Sequence, residues 1–497
     1  GNPQITFFNV VYRRHTQFST EYIKLPFTKM QDLSTRHNTA MSCKIGRNAD
    51  LLYDAYLIFD LPAIFTNSEI PFGWVEDVGT KLIYTATLYV GGQKVDVQYG
   101  QWLKLKSHIF QSNSKKNVYK RLVGGDKRLL TTSRAIGTDE TLAMNATRLY
   151  IPLNFFFCNN PGLAIPLIAL QYADVTIDIE FSALTDVFKV GDPLISPKKM
   201  FGEYSLDDKN ILIKKKILEE NSNIDQYSLL TEKFAKNWKT NTFILANYVY
   251  LGEDERRKFA QTSHEYLIEQ VQRQFFQGLV AGPNTLTLTL QHPVKELFWV
   301  LQRPNVDLEN DWYNFTRLKD YKSLDYINNS LEYSTIPVFW DKYKNYIDGG
   351  DQEGQLNNLK EYIENLKYNY LDITLNFENA QYMFSDYYSI MKTAQIKLNG
   401  HERFEEEMNG FFENLQLYKY HSGEGLRGLY MYTFSLKPED FQPSGTCNMS
   451  RFSKQELIIK IFGEDSTPTA KYNMYLYAIN YNVFRIIGGM GQLVFAN

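Results

Sequence analysis

The chain has 497 residues, 44% of them hydrophobic and 22% charged, with a formal net charge of -3. That length calls for two domains, and the balance is that of a globular protein able to bury two sizeable cores. The absence of a basic excess argues against direct nucleic-acid binding, and a 15% share of aromatic residues favours strands and broad contact surfaces.

Taken from the N-terminus, the chain starts at Gly1 without a Met, so residues before it are expected to have been removed or to lie outside this sequence. No signal-peptide pattern is visible. Leu51–Leu61 (LLYDAYLIFDL) is the first clear strand. Gly91-Gly92 marks a hairpin, because a type I′ turn needs positive φ at both central residues. The most apolar stretch, Ile151 to Leu170, carries Pro152, Pro161, Pro166, Asn154, Asn159 and Asn160, which excludes a membrane span. Ser182 to Thr240 breaks the strand pattern with charge clusters and prolines and reads as a loop insertion over 182–240.

Gly252–Glu265 (GEDERRKFAQTSHE) is charged and reads as a short helical linker, placing one domain at 1–252, the linker at 253–265 and a second domain at 266–497. The basic runs Lys214-Lys215-Lys216 and Arg256-Arg257-Lys258 read as solvated faces or linker features. Thr285–Leu290 (TLTLTL) is a strand. Pro304 to Asn376, rich in Asn, Tyr, Asp and Lys, reads as a second insertion over 304–376. Within it Leu356, Leu359, Ile363 and Leu366 line one face of a helix that packs on its own domain. Asn399-Gly400 is another hairpin turn, and Leu457–Phe462 (LIIKIF) a late strand.

The order of elements repeats. Thr85–Lys94 (TATLYVGGQK) is matched by Thr393–Glu402 (TAQIKLNGHE). A Leu-Tyr strand follows in each half, at Leu149-Tyr150 and Leu429-Tyr430, and then a turn, at Pro161-Gly162 and Pro443-Ser444-Gly445. Val175–Phe181 corresponds to Leu457–Phe462, and Thr242–Leu251 to Met474–Phe484. Five ordered matches predict two copies of one all-β sandwich.

Catalytic and metal patterns are missing. His264-Glu265 and His401-Glu402 begin zincin-like strings, but neither has the second His four residues after the first. His292 before Pro293 reads as a turn residue, Gly488-Gly489-Met490-Gly491 as a tight turn, and Asp348-Gly349-Gly350-Asp351 as an acidic turn without EF-hand spacing. Neither a nucleophile elbow nor a P-loop occurs. Cys43, Cys158 and Cys447 are odd in number and far apart, so no disulfide framework is implied, and a reducing compartment is the simplest reading. Catalytic, cofactor and metal sites are therefore expected to be none. Glycosylation acceptors occur at Asn145, Asn314, Asn328 and Asn448; Asn314 and Asn328 lie in the second insertion and are expected to be exposed, with unmodified Asn the plainer reading.

Six blocks carry a resemblance: Gly1–Ser19 (GNPQITFFNVVYRRHTQFS), Tyr89–Trp102 (YVGGQKVDVQYGQW), Arg148–Tyr172 (RLYIPLNFFFCNNPGLAIPLIALQY), Glu255–Gln270 (ERRKFAQTSHEYLIEQ), Tyr432–Arg451 (YTFSLKPEDFQPSGTCNMSR) and Asn480–Asn497 (NYNVFRIIGGMGQLVFAN). Together they resemble the major capsid proteins of nucleocytoplasmic large DNA viruses, of the algal-virus, mimivirus-like and iridovirus group. The two insertions do not match any family member that can be placed. The resemblance implies two tandem eight-stranded antiparallel jelly rolls with long loop insertions and a few short helices. It also implies a homotrimeric, pseudo-hexagonal capsomer tiling an icosahedral shell, assembled in the host cytoplasm. The implied partners are the chain itself, neighbouring capsomers, penton and minor capsid proteins, and proteins of an inner viral membrane; no cofactor is implied. Three other readings stand beside it. A carbohydrate-binding module and a β-sandwich hydrolase require no tandem copy, and minor capsid or penton proteins are usually single jelly rolls.

Overall fold

The computed structural model describes residues 2–34, 37–66, 72–125, 141–190, 204–206, 211–214, 241–317, 388–462 and 471–495. Short runs of alternating burial build it. Val175–Phe181 and Gln455–Ile461 each bury every second side chain, the two-residue period of a pleated strand with one face on a core. Each Leu, Ile or Phe so placed contributes about 1.5–3 kcal/mol of transfer free energy.

Besides shorter flanking strands, the sandwich of the first half is built from β1 (Phe18–Pro26), β2 (Thr39–Lys44), β3 (Leu51–Leu61), β4 (Ile83–Val90), β5 (Gln93–Tyr99), β6 (Thr147–Pro152), β7 (Val175–Phe181) and β8 (Thr242–Leu251). They make two antiparallel sheets, in the orders β1-β8-β3-β6 and β2-β7-β4-β5. The second half contains β9 (His264–Leu279), β10 (Gly282–Leu288), β11 (Pro293–Gln302), β12 (Met391–Leu398), β13 (His401–Glu402), β14 (Leu429–Thr433), β15 (Gln455–Ile461), β16 (Tyr472–Ile487) and an extra β17 (Met490–Leu493). Its sheets run β9-β16-β11-β14 and β10-β15-β12-β13. Adding eight to each strand number of the first half gives the second. The expected repeat is therefore present as identical strand order, and each sandwich is a jelly roll.

The hairpin turns obey the same rule. Gly91 and Gly92 have φ of 59° and 81°, and Asn399 and Gly400 have φ of 51° and 81°. One sequence match slips by a residue. Leu149 faces its core across from Phe59, whereas in the second half Tyr430 does so across from Trp299 and Leu429 points outward. The strands correspond, but the two Leu-Tyr pairs are not in register, because a shift of one exchanges the faces of a strand.

Short helices lie near the junction of the two halves, among them α1 (Val78–Leu82), α2 (Gly100–Phe110), α3 (Asn113–Val123) and α4 (Glu253–Gln261). Gly100 starts α2 because a Cβ there would lie 2.0 Å from the Ile83 carbonyl oxygen and 2.1 Å from that of Thr80. α4 joins the halves, with three acidic residues in its first turn and an Arg257–Glu253 pair at 2.5 Å. No described helix is long and apolar enough to cross a membrane.

Two boundaries read from the sequence move. The start of each supposed insertion is packed structure. Phe188–Val190 pairs with Phe72–Trp74, and Leu184, Val187 and Phe188 are buried. In the second, Pro304 to Arg317 runs along the seam between the sandwiches, with Val306, Tyr313 and Phe315 buried. The amphipathic stripe Leu356–Leu366 and the acidic turn Asp348–Asp351 lie outside the described residues.

Candidate assembly site at the seam between the sandwiches

Helix α2 leaves the first sandwich and lies across the outward face of the sheet β9-β16-β11-β14. Its stripe Trp102, Leu105 and Ile109 packs with Phe298, Val300, Leu429, Met431, Tyr477 and Ile479 in one buried cluster. The alternation of β11 explains the split: Leu297, Trp299 and Leu301 fill the inner core, while Phe298 and Val300 face α2. Trp102 sits 5.3 Å from Phe298 and 5.4 Å from Tyr477 between ring centroids. The Tyr477 hydroxyl donates to Gln101 Oε1 at 2.6 Å. The Arg273 guanidinium lies 4.0 Å over Tyr99.

The return contact comes from β9 and the C-terminal hairpin. Ile268, Phe484, Ile486 and Leu493 of the second half belong to the core of the first. Gln270 Nε2 donates to the Val95 carbonyl at 2.5 Å, and the Leu493 amide to Gln93 Oε1 at 3.1 Å. Each half thus supplies apolar residues to the other, as in an obligate interface.

A polar network closes the seam. Lys104, on α2, meets Asp77 and lies 3.2 Å from Glu76, with the Lys104 and Asp77 side chains each 1% exposed. Burial pushes the Asp77 carboxyl up, against the pull of Lys104; burial alone would lower the Lys104 ammonium, but Asp77 and Glu76 outweigh it and hold it protonated. His108, one turn on, is driven down to about 2 by burial and by Lys104 and Lys116, so it is neutral. The strap after β11 ties back by Asn310 Nδ2 to the carbonyls of Thr185 (2.7 Å) and Phe188 (2.8 Å), and by Trp312 Nε1 to Asp186 (2.8 Å). Lys81 sits 3.5 Å over the Trp312 ring. Asp311 receives Lys189 at 3.7 Å and Arg303 at 3.3 Å.

Asn314 belongs to this strap, which corrects the expectation that it is exposed. It is 3% exposed; its Nδ2 donates to Asp311 at 2.8 Å, and its Oδ1 accepts from the Thr316 hydroxyl at 2.7 Å and amide at 3.1 Å. The acceptor pattern there is a buried turn. Asn145 is exposed and Asn448 half-buried, while Asn328 lies outside the described residues.

The other singled-out residues are dispersed. His292 has a φ of 63° and its amide donates to Ser450 Oγ at 2.8 Å, which is a turn role. His264 Nε2 meets the Phe259 carbonyl at 2.8 Å, and His401 is exposed on the β12-β13 hairpin. Gly488 and Gly489, at φ 59° and 81°, turn β16 into β17. Cys43, Cys158 and Cys447 are free, and burial raises the Cys43 thiol to about 12. Among the described residues no group of three or more His, Cys, Asp or Glu could hold a metal ion. The sequence reading missed a cluster in which the buried His421 side chain lies 2.8 Å from the buried Glu296 and 3.4 Å from the partly exposed Glu439. These residues come from a strand and two loops, and nothing local in the sequence joins them. Burial would lower the imidazole, but the two carboxylates outweigh it and raise its pKa.

The chemistry of this site is cohesion: two jelly rolls locked side by side through an apolar helix, aromatic stacking and paired buried charges. That defines a protein built from a duplicated jelly-roll sandwich whose copies are locked together. Comparison with known proteins agrees. Residues 6–252 match the family described as "Major capsid protein N-terminus", and residues 255–492 match "Large eukaryotic DNA virus major capsid protein". The chain is 31% identical to the major capsid protein of Phaeocystis pouchetii virus over 549 residues, covering 100% of this chain and 96% of that one. It is 30% identical to that of Pyramimonas orientalis virus over 520 residues, covering 100% and 95%. The solved structure of PBCV-1 VP54 superposes with a TM-score of 0.65 at 24% identity, covering 99% of this chain and 100% of that one, which shows the shared double jelly-roll fold. The chain belongs to the major capsid protein family of large eukaryotic DNA viruses; it is a structural component of the virion capsid and not an enzyme.

Proposed function

We propose that three copies of this chain form a capsomer with a pseudo-hexagonal outline, and that such trimers tile the faces of an icosahedral shell. The observation that carries this reading is the identical strand order of the two sandwiches. One chain presents two like wedges, three chains present six, and a near-hexagonal block tiles a plane with like contacts on each side. The domain limits are placed at 1–252, 253–265 and 266–497. The partners are other copies of the chain, neighbouring capsomers, penton and minor capsid proteins, and proteins of an inner viral membrane, with assembly in the host cytoplasm and no direct contact with nucleic acid. The second insertion beyond Arg317, up to Asn376, lies outside the described residues; its Asn-, Tyr- and charge-rich composition suits the outer side of the shell. Native mass measurement on the purified chain tests the reading. A compact trimer is expected, and a monomer persisting at high concentration overturns it.

A further inference from the structure

The two sandwiches share a strand order but differ in what lies on their outward faces. Strand pairing fixes the corresponding places. Phe298 stands between Met431 and Tyr477, and α2 roofs all three. In the first sandwich Ile58 stands in the same way between Tyr150 and Phe243. Met431 and Tyr477 are 2% and 0% exposed, whereas Tyr150 is 40% exposed and Tyr22, on the neighbouring edge strand, is 56% exposed. Ile58 itself is 1% exposed beneath its neighbours, and a second apolar cluster lies at one end of the face, where Phe259 and Ala164 meet Leu51 and Val249.

The same pairing locates the counterpart of α2. Thr85 pairs with Tyr99, the residue before α2; Thr393, its partner in the repeat, pairs with Met408. Counting forward in step from Tyr99 and Met408, Trp102 corresponds to Phe411, Leu103 to Phe412, Lys104 to Glu413 and Ile109 to Tyr418. The correspondence is physical as well as numerical: Leu103 and Phe412 are both core residues, and Lys104 and Glu413 are both buried charges. The counterpart is helical over Phe411–Leu415 and Gln416–Tyr420. The stripe is reproduced only in part: Phe411, in the place of Trp102, packs on its own core, whereas Tyr418, in the place of Ile109, is 89% exposed and the neighbouring Leu415 is 50% exposed, against 0% for Ile109.

We propose that the helix Phe411–Tyr420 of one copy packs on the outward face of β1-β8-β3-β6 of a second copy, around Tyr150 and Phe243, repeating between chains the contact that α2 makes within one. This rests on the trimer reading and names its interface. A heterologous contact made once inside each chain and once between chains closes a ring of three chains when the rotation per step is one that six steps complete. The receiving face has the character of a contact between folded chains. Tyr56 and Tyr150 are half exposed, Lys24 lies 5.3 Å over Phe243, and Arg148 pairs with Asp60 at 2.6 Å.

The test uses the full chain carrying Tyr418→Cys and Tyr150→Cys, treated with a short bis-maleimide. Covalent species of two and three chains are expected from the double variant. Neither single variant should exceed the background set by wild type with its three native cysteines. In parallel, Leu415→Asp with Tyr418→Asp changes only exposed positions, so the circular dichroism spectrum should stay that of wild type. The trimer should dissociate at a concentration at least about tenfold higher than wild type requires, a shift of about 1.4 kcal/mol. A trimer that persists unchanged in the Asp variant, with no cross-link between chains, overturns the inference and leaves the trimer standing. A cross-link confined to single chains gives the face to the chain's own residues and also overturns it. A wild-type chain that is monomeric throughout overturns the trimer reading itself.

Discussion

Trp102 stacks on Tyr477 with ring centroids 5.4 Å apart and planes 30° apart, although the two residues belong to different sandwiches. The indole is 1% exposed and also meets Phe298, so its removal opens a cavity in the middle of the seam. Trp102→Ala should therefore cost about 3–5 kcal/mol, and Trp102→Phe appreciably less. Urea unfolding read by circular dichroism measures this. A loss under about 1 kcal/mol would mean that the seam collapses without cost and that α2 does not hold the halves together.

Lys104 and Asp77 make a different prediction, because a buried pair is judged by what remains when one partner goes. Lys104→Met should cost about 3–5 kcal/mol, since it strands the Asp77 carboxylate beside Glu76. Adding Asp77→Asn removes that stranded charge, and Asn tolerates the left-handed φ of 47° at this position. The double variant should recover more than half of the loss. A double-mutant cycle decides; strictly additive losses would show that the ion pair does not couple the two sites.

These two cases also mark how far the sequence could be read. Strands such as Leu51–Leu61 and Leu457–Phe462 were legible because their period of two is a local property. The duplication was legible because like strands recur in like order. The seam was not. Lys104, Asp77 and Asn314 look like surface residues until a distant part of the chain covers them, and GQWLKLKSHIF has no cap that announces a helix. The Leu-Tyr register slip has the same origin: adjacent letters cannot say which of two side chains faces inward until pairing fixes the face.

Asn314 offers a test of burial against pattern. Its amide serves Asp311 and Thr316, so the folded chain has no room for a sugar there. Peptide mass spectrometry of the protein from a eukaryotic host should find Asn314 unmodified. Asn314→Gln should cost about 1–3 kcal/mol, because the longer side chain cannot keep these hydrogen bonds and leaves buried groups unpaired. A glycan on Asn314, or a neutral substitution, would place the strap outside the seam.

Glu413 is the acid counterpart of Lys104, and it sets a dependence on pH. Burial raises its carboxyl from 4.5 to about 7, against the hydrogen bonds it accepts from the Gly428 amide and the Tyr388 hydroxyl and the pull of Arg427. The folded chain therefore holds a proton between about pH 4.5 and 7 that the unfolded chain releases. Where the folded state binds more protons, stability falls as pH rises. The contribution is whole below the ordinary value and is lost as pH climbs through the folded value, by an amount on the order of 3 kcal/mol. Asp96, raised from 3.8 to about 7 chiefly by burial, acts in the same direction. Glu413→Gln keeps an oxygen for Gly428 and Tyr388 but carries no titrating proton. It should match wild type near pH 5 and exceed it in stability near pH 8, with part of the slope remaining from Asp96. Urea unfolding of both proteins across that range measures the difference. Parallel stability curves for the two would show that Glu413 is ionised in the folded protein throughout, and that its burial is offset by charges that these contacts do not supply.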